Sequence, residues 1–287
     1  MLQELLIFFS SARGVDVFWS PLSVAILAGL ILTIVLRSDS SKEKNSKGSK
    51  GLTLSEVKIL VQSELDKRPK PQPATTRTTR VSQTTDNNFI WVVVMGLVFL
   101  SVGYAKFQNQ VLDYSVIAAT SIFGFWATTV IFSLLKGTIS GKGWATYIVV
   151  VFILSLLALP ILYLSLEPMY SPDGIINLQQ VATESGLAGL IKSYGAEGII
   201  FLTFQVMGFF VLYGSWLFIL LSLVYMASST LVVAGFNGRV IWLWLSLKTT
   251  KFAKPIKGTI IVSILYLLSF VLISGLAYEW WRPVGNV

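Results

Sequence analysis

Residues 199–236 read IIFLTFQVMGFFVLYGSWLFILLSLVYMASSTLVVAGF, 38 consecutive positions without Asp, Glu, Lys, Arg or His. A run this apolar belongs in a bilayer as a helix, because a helix satisfies its own backbone hydrogen bonds where no water can. One straight helix would extend roughly 57 Å, nearly double the ~30 Å hydrocarbon core. The excess predicts one of three outcomes: a bend near Gly214-Ser215, an inner end that projects past the bilayer as an apolar rod, or a broken or re-entrant segment. Apolar surface outside lipid needs a cover. The region from Tyr225 to Val233 is therefore expected to meet another subunit or the chain's own cytoplasmic helix, with Leu231 and Val233 as interface residues. Gln205, Ser222, Ser228, Ser229 and Thr230 make this the most polar of the long runs, and they are the candidates for lining a cavity or pore.

Five further runs have the same character: Val17 to Leu36, Phe89 to Ala105, Tyr114 to Leu135, Trp144 to Leu166 and Gly258 to Tyr278. Each approaches or exceeds the length needed to cross the hydrocarbon. The expected fold is an all-α polytopic membrane protein, a bundle of about six transmembrane helices with short interfacial helices. Composition agrees, with 54% hydrophobic and only 13% charged residues in 287, where soluble domains average about 25% charged. Intramembrane charges normally mark proton relays and ion pathways, so their absence counts against a pump or ion-coupled transporter. Cysteine and histidine are absent, which excludes disulfides, thiol nucleophiles and imidazole bases.

The charges orient the bundle. Basic residues of the connections after the first, third and fifth runs, from Arg37 to Arg80, at Lys136 and Lys142, and from Arg239 to Lys257, comprise all but four of the 22. The exceptions are Arg13, Lys106, Lys192 and Arg282; eight of the 14 acids share their side. Basic connections stay in the cytoplasm, so six spans place both termini outside, as in a bacterial inner-membrane protein. Splitting the fifth run and adding Val240 to Leu247 as a seventh span would carry Lys248 to Lys257 across against this rule. Met1 to Ser10 lacks a basic segment, so Val17 to Leu36 is read as a retained anchor.

Three regions follow. Residues 1–36 hold an outer amphipathic stretch (Leu2, Leu5, Leu6, Phe9) and the first span. Residues 37–88 form a cytoplasmic linker, in which Thr53 and Glu56 make a capping box and Leu54, Val57, Val61 and Leu65 share one helical face suited to docking a partner. Residues 89–287 form a five-helix bundle, with Lys106 to Asp113 as the loop of a tight hairpin between the second and third spans. An acidic outer loop spans 167–198, where Leu187, Leu190, Ile191 and Tyr194 recur at helical spacing, as an interfacial helix or a lid. Small residues at Thr120, Gly124 and Thr128 permit close helix approach.

Arg239, Lys248, Lys251, Lys254 and Lys257, with Trp242 and Trp244 as aromatic anchors ahead of the lysines, suit an anionic inner leaflet. No phosphate-binding glycine loop, metal-ligand spacing or nucleic-acid surface is present, and no cofactor is expected. Asp113 and Glu167 read as interface caps at helix ends. Three function classes fit: a non-enzymatic component that anchors, senses or is regulated within a larger membrane assembly of secretion, immunity or defence type, with a protein partner or a second copy; a channel, pore or transporter subunit; and a membrane enzyme acting on lipid-linked substrates. The first accords best with the lack of reactive side chains.

Overall fold

The computed structural model describes residues 87–135, 142–172, 175, 178–233, 239–252 and 254–282, with Ser20, Ser23, Val24 and Ile59 as isolated positions. Apart from those positions, the expected first span, the outer stripe Leu2 to Phe9 and the linker helix lie outside the described residues. The elements are α1 (Asn87–Lys106), α2 (Gln108–Leu135), α3 (Lys142–Tyr163), α4 (Leu178–Val233), α5 (Arg239–Thr249), a 3-10 turn (Thr250–Phe252), α6 (Pro255–Ile273) and α7 (Leu276–Trp281). Among the described residues there is no strand. Four helices, α2, α3, α4 and α6, are long and apolar enough to cross a membrane; in α1 the apolar stretch Met95–Lys106 is shorter.

The fifth run is the hub. α4 packs against α6, α1, α5 and α2, while α3 joins the bundle through α6 and α2. Small residues let the backbones approach: a Cβ on Gly208 of α4 would come within 2.6 Å of Ile273 Cγ1 in α6, and Ser269 of α6 donates to the Gly208 carbonyl at 3.1 Å. Without a hydrophobic drive between helices in lipid, such contacts and interhelical hydroxyl bonds decide packing. Ser101 bonds Thr203 at 3.1 Å, Ser115 bonds Tyr213 at 2.6 Å and Trp216 donates to Tyr266 at 2.8 Å, and Tyr147 and Ser222 are also paired.

Several expectations are corrected. α4 has no bend at Gly214; its non-helical residues are Gly186 (φ 59) and Gly195 (φ 65), both before the apolar run. The left-handed region of φ, open to glycine without a Cβ penalty, places both breaks in the N-terminal part of α4 and leaves 196–233 as one helix. Its C-terminal end is covered by α5, which packs on α4 through buried Leu243 and Ser246. α5 has 11 residues, about 16 Å, too short for the seventh span considered above. The join between α1 and α2 is Phe107 alone, not an eight-residue loop, because α2 begins at Gln108. The two helices meet mainly at that join, each packing on α4. The last run also divides: Gly275, at φ 85, separates α6 from α7.

Candidate ligand cavity at one end of the bundle

The C-terminal turn of α3 leaves carbonyls without helical partners, as every helix end does. Two glutamines satisfy one of them. The Ser165 carbonyl accepts from Gln108 Nε2 at 2.9 Å and from Gln205 Nε2 at 3.4 Å, tying the starts of α2 and of the apolar part of α4 to the end of α3. Above these amides opens a cavity of about 600 Å³, within the usual range for small-molecule sites.

Its walls come from three places. The turn after α3 supplies Ser165, Leu166, Pro168 and Ser171; the outer segment of α4 supplies Leu178, Gln179, Gln180, Thr183 and Glu184; Phe201, Gln205 and Gln108 close the deep side, and Ile175 contributes an apolar edge. The turn after α3 is pinned by the Tyr170 amide, which donates to the Ser274 carbonyl at 3.1 Å. Asn109 donates to Gln179 Oε1 at 2.7 Å and fixes the rim. Phe201 is held edge-on against Tyr278, with ring centres 5.7 Å apart.

The polar groups are almost all neutral. Glu184 is the one ionisable group among the described lining residues; it is exposed and accepts from Gln180 at 2.9 Å. Gln205 is only 1% exposed, yet its Oε1 accepts no hydrogen bond among the described residues, nor does that of Gln108. Behind the same wall the Tyr104 hydroxyl, 7% exposed, lies beside Ser165 and Gln108 without a completed hydrogen bond.

The candidates drawn from the fifth run do not gather in one place. Gln205 lines the cavity, but Ser229 lies 24 residues further along α4, roughly 36 Å away. There Ser229 bonds Ser246 of α5 at 3.1 Å, Thr230 bonds Ser133 of α2 at 3.1 Å and Ser228 donates to its own helix at Tyr225. Ser222 pairs with Tyr147, and Leu231 is buried at 4% exposure, while Val233 ends the helix. The hydroxyls of Ser222, Ser229 and Thr230 join helices to each other, while that of Ser228 stays within α4. Below Gln205 the bundle is filled by Phe209, Leu212, Trp216, Ile219 and Leu223, all buried.

The basic residues cluster at the opposite end. Arg239 starts α5; Lys248, Lys251, Lys254 and Lys257 are exposed along α5, the 3-10 turn and the first turn of α6. Lysines at a helix N-terminus oppose its dipole, and Lys254 and Lys257 stand at that end of α6. Asp113 falls in the second turn of α2 and Glu167 is exposed beyond α3. Among the described residues no three acids come together as a metal site would need. Sequence reasoning missed Gln108, Gln179 and Gln180; Gln108 stands between two apolar runs, while Gln179 and Gln180 lie in the middle of the loop 167–198 and carry no local signal. Comparison with protein-family models, with curated proteins and with solved structures yields no significant match.

Proposed function

We propose that this chain is a non-enzymatic component of a larger membrane assembly, of the secretion, immunity or defence type, which anchors or senses through its outer end. It spans a bacterial inner membrane six times with both termini outside, its lysine-rich end on the anionic inner leaflet. The observation that carries this reading is the closed interior beneath the cavity. Tyr104 and Phe209, with ring centres 5.4 Å apart, and Leu212, Trp216 and Ile219 beyond them are all buried, and Ser115 and Trp216 spend their polar groups on helix–helix bonds. A pore needs a continuous polar path, and a hydrolytic site needs a base within reach of a nucleophile. The buried side chains beneath the cavity offer no such path, and the one carboxylate of the described lining, Glu184, is exposed and engaged by Gln180. The sequence spacing of Leu54, Val57, Val61 and Leu65 in the linker supports docking of a cytoplasmic partner.

Isolation from native membranes in a mild detergent tests the assembly. A second protein recovered in fixed ratio, lost when Leu54, Val57 and Val61 are all replaced by Ser, is the expected result. A solitary chain that conducts ions in reconstituted vesicles would reverse the assignment to a channel.

A further inference from the structure

We infer that the 600 Å³ cavity is a binding site for an uncharged polyhydroxyl group, a saccharide presented either free in solution or as the headgroup of a glycolipid. The donor set determines the class. Gln108 and Gln205 each use one N–H to hold the Ser165 carbonyl and leave Oε1 open, while Gln179 uses Oε1 on Asn109 and leaves its N–H donors open. Acceptors and donors thus converge without net charge, the complement of adjacent hydroxyls, each of which both donates and accepts. Apolar lining from Leu178, Ile175 and Phe201 faces the same space and suits the C–H faces of a sugar ring. No Lys or Arg is among the described lining residues, and Glu184 at the rim repels anions, so phosphate and carboxylate ligands are disfavoured.

The amides are preorganised by protein bonds at their far ends, which lowers the ordering cost of binding. Gln205, buried to 1% exposure with an open oxygen, is the residue whose hydrogen bonding a ligand would complete.

The full chain in phosphatidylcholine nanodiscs, free of sugar-based detergent, is the sample for the test. Intrinsic tryptophan fluorescence follows its unfolding temperature against maltose, lactose and N-acetylglucosamine, against discs doped with monogalactosyl diacylglycerol, and against inorganic phosphate. A saturable rise with a saccharide or with the glycolipid, but not with phosphate, is expected, and the responding arm tells the free source from the lipid one. Gln205→Leu should need at least tenfold more probe, about the loss of one hydrogen bond. Gln179→Ala, at the half-buried rim, should weaken binding severalfold and serves if Gln205→Leu does not fold. No rise with any sugar, an equal rise with phosphate, or a rise undiminished in the folded variants would overturn the assignment. Because the sample is the isolated chain, that outcome leaves membership of an assembly untouched, and a missing partner leaves the cavity's ligand untouched.

Discussion

Gly275 lies directly beneath the carbonyl oxygen of Tyr170, so close that a Cβ at position 275 would overlap it. The contact joins the α6–α7 corner to the turn that carries Pro168 and Ser171 of the cavity wall, and the Tyr170 amide donates to Ser274 at 3.1 Å beside it. Gly275 is also left-handed, at φ 85. Any side chain there meets both backbone strain and a collision with backbone that has no rotamer to escape into.

Gly275→Ala should accordingly lower stability by about 2 kcal/mol or more, the sum of a left-handed penalty and a displaced turn. Thermal unfolding in nanodiscs measures it, and a variant as stable as the parent would show that the corner is free to move.

Gly208 and Gly214 lie on the same helix and should respond in opposite ways. A side chain on Gly208 runs into Ile273, whereas nothing lies within 4 Å of a Cβ at Gly214. Gly208→Val should cost about 1–3 kcal/mol through overpacking, and Gly214→Ala should be neutral or stabilising by up to about 1 kcal/mol from helix propensity. Equal effects at both positions would contradict the α4–α6 approach.

The cover over the inner end of α4 gives a third pair. Leu231 and Leu243 are 4% and 5% exposed, while Ile241 is 64% exposed. Leu231→Ala and Leu243→Ala should each cost about 2–5 kcal/mol, and Ile241→Ala should stay within about 0.5 kcal/mol. Equal losses at all three would mean that α5 does not dock on α4 by this face.

Alkaline pH acts at the other end. Burial, and after it the Glu197 carboxylate to which Tyr278 donates at 3.0 Å, hold the Tyr278 hydroxyl above its ordinary value of 10.0. The fold therefore keeps a proton that the unfolded chain releases, so this stabilisation is present below the ordinary value and is lost as pH rises above it. Tyr278→Phe should lose about 1 kcal/mol near neutrality and decline less steeply above pH 10 than the parent. An unchanged slope would remove Tyr278 from the titration.

Orientation can be read with single cysteines, since the chain has none of its own. Cysteines replacing Ser46, Ser140 and Thr250 should resist an impermeant maleimide in intact cells, and those replacing Ser11, Ser171 and Asn286 should react. Labelling at Thr250 with protection at Asn286 would reverse the expected sides.

The helical membrane character of this chain was legible in its sequence because it is a local property. Each residue of a charge-free run meets the hydrocarbon separately, and 38 such positions in succession leave no other environment for residues 199–236. The polar candidates and the bend were not legible in the same way. Gly186 and Gly195 lie in the polar stretch before the apolar run and Gly214 within it; nothing stands within 4 Å of a Cβ at any of them, and only the folded backbone shows the first two outside helical φ/ψ. Gln205 and Ser229 look alike as polar interruptions of one apolar run. Only the fold places one amide over the orphan carbonyl of Ser165 at an open cavity and seals the other hydroxyl against Ser246. Partners for these groups come from residues 40 positions back along the chain and 17 positions ahead. A hydrogen bond between helices exists only once both are packed, so tertiary structure alone decided which polar residue faces the cavity and which joins the bundle.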